Sequence, residues 1–228
     1  MLEEKEIIEA PSDGGVNILD EKKKSGKLFY QITKRCIDIL MSLIALVVLL
    51  IPMLLIALVI VLESPGAPIY VHSRIGKNSK KLQLLKFRSM HRNADSMIDT
   101  FTPEQKKEWE ENFKLDNDPR VTRVGKILRR TSLDELPQLI NILKGDLSIV
   151  GPRPVVREEL ERYGENKEKF LSVTPGLTGY WQAYARSSCT YEQRMEMELF
   201  YIENANFWWD IKIMFATVST VLRGRGAK

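Results

Sequence analysis

The sequence predicts a mainly α-helical protein with one small β-hairpin, attached to a membrane by an apolar segment near its N-terminus. Three observations carry that prediction. Residues 37–62, IDILMSLIALVVLLIPMLLIALVIVL, hold a single charge, Asp38, in an otherwise apolar run. Residues 67–90, APIYVHSRIGKNSKKLQLLKFRSM, read as two short strands around a turn at Gly76 to Lys80. Most of the remainder is patterned at helical spacing and punctuated by proline and glycine. At 228 residues the chain is long enough for one domain with a sizeable core.

Taken from the N-terminus, residues 1–30 contain PSDGG and EKKKSGK and few large apolar side chains, which predicts a mobile tail. The apolar run follows within residues 31–64. It is not a secretory signal, because it starts well inside the chain behind an acidic MLEEKEIIEA and no small-residue cleavage site follows. As a straight helix it would be roughly 39 Å long, more than a hydrocarbon core of about 30 Å. Pro52 interrupts it, leaving arms of roughly 22 and 16 Å that do not cross alone. Lysines and arginines flank both ends: Lys34 and Arg35 before the run, Arg74, Lys77, Lys80 and Lys81 after it. Positive flanks belong on the cytoplasmic side. A spanning helix satisfies one flank and a re-entrant helix-break-helix satisfies both, so from these features both topologies stand.

Beyond the hairpin, Pro103 ahead of EQKKEWEENFKL marks a solvated surface helix. Arg120, Arg123, Lys126 and Arg129 then recur every third residue, with Val124, Ile127 and Leu128 between them, which predicts an amphipathic helix with a basic stripe. That stripe is either a solvated face or a surface for phosphate or a bilayer. It runs into Ser132-Leu133-Asp134-Glu135, which fits a capping box, while Pro137 prefers a helix begun at Asp134. In either register both carboxylates sit at a helix N-terminus, where anions are favoured. Two carboxylates there would repel a phosphate unless cations intervene. Arg129 and Arg130 stand just upstream, one carboxylate could hold a magnesium ion, and the other could attack phosphorus. Capping and catalysis are both compatible with these residues.

The helix after Pro137 ends near Gly145, and a loop follows in which Arg153 lies between Pro152 and Pro154, a restrained geometry suited to an anion. Two further helices are predicted, Tyr191 to Glu203 and Phe207 to Leu222. Phe207, Trp208 and Trp209 suit either the headgroup layer or the core. Cys36 and Cys189 have no framework spacing and read as free thiols. With His72 and His91 the only histidines, a zinc site of His and Cys is excluded, so any metal is a hard cation on carboxylate and phosphate. A net charge of +4 is too small to favour nucleic-acid binding.

Several stretches together carry a family resemblance: KRCID before the apolar run, KFRSM at Lys86 to Met90, NDPRVTRVGKILRRTSLDELPQLINILKGDLSIVGPRPVV, and PGLTGYWQ. From about Lys34 to the C-terminus the chain resembles the bacterial sugar transferases, monotopic polyprenyl-phosphate phosphoglycosyl transferases, in their minimal catalytic form. The resemblance implies a re-entrant membrane helix broken at Pro52, with residues 65–228 forming a cytosolic catalytic domain that carries interfacial amphipathic helices. It implies transfer of a sugar 1-phosphate from a UDP-sugar to undecaprenyl phosphate at the cytoplasmic face of the bacterial inner membrane, releasing UMP and initiating capsule, exopolysaccharide or O-antigen assembly. By position in the matching motifs, Asp134 is the nucleophile of a covalent intermediate and Glu135 the magnesium ligand. Lys86, Arg88, Arg129, Arg153, Arg186 and Glu198 fall at substrate-contacting positions. UDP-sugar, undecaprenyl phosphate and the inner leaflet are the implied partners; a homodimer is compatible, and nucleic acid is not expected. The chain looks most like the galactose-phosphate transferring members. It departs from the family where Ile51, not serine, precedes Pro52, at Ala185-Arg186-Ser187 in place of Gly-Arg-Asn, and at Glu198 in place of aspartate. A membrane-tethered scaffold without catalysis is the alternative from a different class.

Overall fold

A computed structural model describes residues 18–112, 115, 118–185 and 189–222. One helix dominates it. Helix α1 runs from Ile18 to Glu63 and passes through Pro52 without a break in its helical structure. Proline removes one amide hydrogen, and its φ is itself helical, so a long apolar helix can absorb it as a bend and keep its remaining hydrogen bonds. The expected separation into two arms is therefore absent from the secondary structure. The expected tail also differs: residues 18–30 are helical, because extending an existing helix needs no new nucleus. Residues 1–17 lie outside the described residues.

The rest of the chain packs along α1. Strands β1 (Ile69–Ile75) and β2 (Lys81–Phe87) form the antiparallel hairpin, with Ile69 opposite Phe87 and Ile75 opposite Lys81. Helix α2 (Pro103–Asn112) begins at the predicted proline. Helices α3 (Arg123–Thr131) and α4 (Gln138–Lys144) follow, and α4 ends at Gly145 with φ of 89°, a left-handed cap that glycine adopts readily. Strand β3 (Ser148–Val150) pairs in parallel with β4 (Gly176–Thr178) across the short helices α5 (Arg157–Glu161) and α6 (Lys167–Leu171). Strands of three residues carry too little alternation to be seen in sequence. Helices α7 (Tyr180–Tyr184), α8 (Tyr191–Asn204) and α9 (Phe207–Leu222) complete the chain, the last two nearly as predicted.

Four apolar clusters join these elements. Leu82 and Leu84 of β2 meet Leu139 and Ile142 of α4, with Ala45, Leu46 and Leu49 of α1 against them. Further along α1, Ile60 packs with Phe87 and Leu128, beside Met53, Ile56 and Ala57. Val150, Ala183, Tyr201 and Ile213 form a third cluster, and Val155, Leu160, Tyr163 and Phe170 a fourth. Polar ties fix the first turns of the apolar run. Lys34 Nζ lies 2.7 Å from Asp210 Oδ2, and Arg35 donates at 2.6 and 2.7 Å to the carbonyls of Ile142 and Leu143, satisfying the C-terminus of α4. Asp38 accepts from the amide of Ile149 at 2.9 Å, which explains a buried charge at the start of an apolar helix.

The outer side of α1 is apolar and uncovered: Val47, Val48, Ile51 and Leu62 are each about 70% exposed. It is long and apolar enough to cross a membrane. Of the aromatic trio, Trp209 turns inward against Tyr180 and Phe200, while Trp208 is 70% exposed. The core expectation thus holds for Trp209, while Trp208 is left on the surface. Neither Cys36 nor Cys189 is in a disulfide, as expected.

Candidate active site

Asp134 and Glu135 lie on a single 3-10 turn, Leu133–Glu135, between α3 and α4. The predicted capping box does not form. Ser132 is left-handed, with φ of 58°, and closes α3: its amide donates to the carbonyls of Leu128 and Arg129. A serine that ends one helix is not in position to cap the next. Pro137, fully buried, takes the N-cap position of α4, where a missing amide hydrogen costs nothing. The carboxylates are thus held by a tight turn between two packed helices.

Two contacts set the height of this turn against the hairpin. The Asn141 side chain of α4 accepts from Leu85 N at 3.0 Å and donates to Gln83 O at 2.8 Å, which locks β2 to α4. Gly125 of α3 lies against the backbone after β2: a Cβ there would sit 2.0 Å from Ser89 O. Only glycine permits that approach. Arg129 Nε then donates to Ser89 Oγ at 2.9 Å, fixing the guanidinium on the inner side of α3.

Lys86, next to last on β2, reaches both acids. Its Nζ is 2.8 Å from Glu135 Oε1 and 4.0 Å from Asp134 Oδ2. The Asp134 side chain is 13% exposed and that of Glu135 26%, so both are sheltered yet reachable. Burial pushes the Asp134 carboxyl above its ordinary value and neighbouring Glu135 adds to this, while Lys86 and Arg129 pull it down without prevailing. Burial acts on Glu135 in the same sense, but Lys86 and Arg153 outweigh it and hold that carboxyl below its usual range. Two adjacent acids therefore have environments that push them apart, a pattern of functional sites. Asp118 and Arg120, 2.7 Å apart and buried, stand behind Arg129. Arg120 was expected on the basic stripe; it lies before α3 and its charge is spent inside.

The structure gathers Lys86, Arg129, Asp134 and Glu135, with Arg153 close enough to act on Glu135. It places other expected contacts elsewhere. Arg88 turns away to the C-terminal end of α1, donating through Nη2 to the Ser64 carbonyl. Glu198 is 1% exposed and enclosed: it accepts from Arg153 N at 3.0 Å, from Trp181 Nε1 at 2.8 Å and from the Tyr163 hydroxyl. A carboxylate so surrounded ties the Arg153 loop to α7 and α8. Arg186 lies outside the described residues. Sequence reasoning missed Ser89, Gly125 and Asn141. A glycine inside a helical pattern signals close backbone approach, and Gly125 carried that signal.

Among the described residues no three His, Cys, Asp or Glu side chains gather as a metal cage. The site instead offers an adjacent carboxylate pair, which suits a magnesium ion that takes its other ligands from phosphate oxygens and water. The donor set fits that cation.

Comparison with known proteins shows the family. A family model described as bacterial sugar transferase matches residues 29–224. The chain is 42% identical, over 93% of its length, to a UDP-galactose-lipid carrier transferase of Erwinia amylovora, covering 45% of that protein. It is 43% identical, over 85% of its length, to an undecaprenyl-phosphate galactose phosphotransferase of Salmonella typhimurium, covering 41%. It is 44% identical, over 86% of its length, to the exopolysaccharide production protein ExoY of Sinorhizobium fredii, covering 88%. The chain thus spans less than half the length of the first two and most of the third. With a family match over most of the chain and relatives of this identity, the chain belongs to the bacterial sugar transferase family.

Proposed function

We propose that this protein transfers a sugar 1-phosphate from a UDP-sugar to undecaprenyl phosphate, releasing UMP, through a covalent intermediate on Asp134. The observation that carries the proposal is the Asp134-Glu135 turn, sheltered and ringed by Lys86 and Arg129, beside the end of an apolar helix. Named relatives act on galactose phosphate or glucose 1-phosphate and undecaprenyl phosphate, which supports the substrate class. Galactose is the first sugar to test.

In the first step a carboxylate oxygen of Asp134 attacks the sugar-bearing phosphorus. The bond from that phosphorus to the bridging oxygen breaks, and UMP leaves with the electron pair. In the second step a phosphate oxygen of undecaprenyl phosphate attacks the same phosphorus, and the bond to Asp134 breaks, restoring the carboxylate. Lys86 and Arg129 face the charge that accumulates on the phosphoryl oxygens. Glu135 would hold a magnesium ion, which when bound would neutralise phosphate charge. The enclosed Glu198 keeps the Arg153 loop in place. No histidine base is needed, since the attacking group is already an anion at neutral pH.

The membrane reading is that both flanks of α1 lie on the cytoplasmic face and that α1 enters one leaflet without crossing, with Pro52 as the point of bending. Its support is packing. The same polar domain holds α1 at Lys34, Arg35 and Asp38, along Ala45 to Leu49, and again at Ile60 and Glu63. From Lys34 to Glu63 is roughly 44 Å of helix. A spanning helix would draw the domain through the hydrocarbon, where its polar groups would be unsatisfied.

A panel of UDP-sugars assayed for UMP release tests the activity. Wild-type protein quenched after UDP-sugar should carry a sugar-phosphate mass on Asp134, and Asp134→Asn should show neither adduct nor turnover. Full UMP release by the Asn variant would remove the nucleophile. Silence with every UDP-sugar would leave the tethered scaffold in its place. Cysteines at the two flanks of α1, labelled from one side of sealed vesicles, test the topology; labelling on opposite faces would refute it.

A further inference from the structure

Transfer from a UDP-sugar involves two phosphates, the one attacked and the one that leaves, and Lys86 and Arg129 beside Asp134 serve the first. Attacking and leaving oxygens lie roughly in line, so the leaving phosphate sits on the far side of the attacked phosphorus from Asp134. Asp134 feels the charge of Arg129 and Glu135 feels that of Arg153, which puts the two guanidiniums towards opposite ends of the acid pair. Beyond Glu135, on the Arg153 side, stands a group of basic side chains that the first phosphate does not use.

The hairpin builds this group. Tyr70, His72 and Arg74 alternate along β1 and share one face with Lys86, which lies directly opposite Tyr70. His72 is thus a diagonal neighbour of Lys86, and the Tyr70 ring lies against its own, with centroids 5.9 Å apart. Ile75 N donates to Val155 O at 2.9 Å, which closes the Arg153 loop against the end of β1. Burial, and then the charges of Arg74, Lys86 and Arg153, push the imidazole down to about 4. It is therefore neutral at pH 7 and carries one N–H donor.

Positive charge here is incompletely matched. Arg74 pairs with Glu159 at 2.9 Å, but Arg194 shares that carboxylate at 3.6 Å and reaches Glu198 at 3.6 Å. The Nε and Nη2 of Arg194 are buried without a hydrogen-bond partner. Glu135 is taken by Lys86 at 2.8 Å. Among the described residues, neither the Arg153 guanidinium nor the His72 ring makes a hydrogen bond or ion pair, and both side chains are only partly buried. Unspent donors that solvent can reach, next to an excess of guanidinium, suit an anion.

We propose that His72 and Arg74, with Arg153, form a phosphate subsite beyond Glu135 that takes a phosphate monoester: that of departing UMP in the first step and that of undecaprenyl phosphate in the second. One place serves both, because the second displacement enters along the line by which UMP left. This subsite rests on the transfer reaction proposed above and assigns it two residues of β1.

The test is calorimetric titration of the full chain in detergent, with magnesium present, using UMP and a short polyprenyl phosphate. Neither ligand reacts without a sugar donor. His72→Leu should weaken both by about tenfold or more, the value of one hydrogen bond to a charged group. His72→Gln keeps a neutral donor and should restore most of the affinity. Arg74→Gln should also weaken both, and the His72 variants preserve the test if loss of the Glu159 pair prevents folding. Each ligand, and inorganic phosphate, should displace the other from the parent protein. No UMP binding by the parent, UMP affinity unmoved by His72→Leu, or equal losses in the Leu and Gln variants would overturn the proposal. Simultaneous binding of UMP and the polyprenyl phosphate would overturn the shared place. UMP binding that depends on His72 in protein forming no adduct on Asp134 would sink the covalent reaction and leave a nucleotide-phosphate site standing. An adduct on Asp134 with UMP binding indifferent to His72 would do the reverse.

Discussion

Gly125→Ala is the most incisive perturbation of the site that touches no charged group. The new Cβ would lie 2.0 Å from Ser89 O, 2.7 Å from its carbonyl carbon and 2.9 Å from its Cα. All three are backbone atoms, so no rotamer change relieves the overlap. Helix and strand end must separate by more than about 1 Å to restore ordinary contact distances. Overpacking of this kind costs about 1–3 kcal/mol, and alanine's better helix propensity returns up to about 1 kcal/mol. The net loss of stability is thus about 0–3 kcal/mol, within what a domain survives. The catalytic loss should be far larger, because α3 carries Arg129, four residues on, and runs directly into the Asp134 turn. A misplacement of about 1 Å in such a site costs about 100-fold in rate. UMP release and thermal unfolding should be measured on the same preparation. A rate within about twofold of the parent with an unchanged unfolding midpoint would refute the claim that this close approach aligns the site.

Removing the ammonium beside both acids, Lys86→Met, should raise the Asp134 carboxyl further above its ordinary range. In the proposed reaction Asp134 attacks as the anion, so the fraction ready to attack falls as pH drops through this raised value. The acid limb of the UMP-release profile should move to higher pH; an unmoved limb would exclude Lys86 from setting it. Glu135, held low in the fold, contributes stability that is present at neutral pH and lost on acidification, and that pH dependence should shrink in the same variant. Glu135→Gln should weaken the dependence of turnover on magnesium, and an unchanged magnesium titration would count against its role as ligand. Asn141→Ala strands the amide of Leu85 and the carbonyl of Gln83, at a cost of about 1–3 kcal/mol, readable as a lower thermal midpoint.

Elements that answer to local chemistry were legible in the sequence. The hairpin turn, the start of α2 at Pro103, the end of α4 at Gly145 and the two C-terminal helices were each signalled by residues within a few positions of the feature. The apolar run, the free thiols and the acid pair were equally plain, and the long central motif pointed to the family. Where two elements compete for one residue, local pattern misled. Ser132 matches a helix start yet ends the helix before it, because α3 had to stop before the carboxylates could be presented. Arg120 keeps the spacing of the stripe but pairs with Asp118 two residues away.

The sequence alone determined which groups are available for chemistry: two adjacent carboxylates, basic side chains upstream and downstream of them, and an apolar helix long enough to cross a membrane. Only the tertiary structure decided which of the cations meet the acids. Lys86 lies 49 positions from Glu135 and reaches it because Asn141 and the approach at Gly125 bring β2, α3 and α4 together. Arg88, two residues further, is drawn instead to the carbonyl that ends α1, and Glu198 is enclosed behind the Arg153 loop. Charge in a sequence is a property of residue type, but its interaction depends on distance and burial, and those are set by contacts between elements remote along the chain.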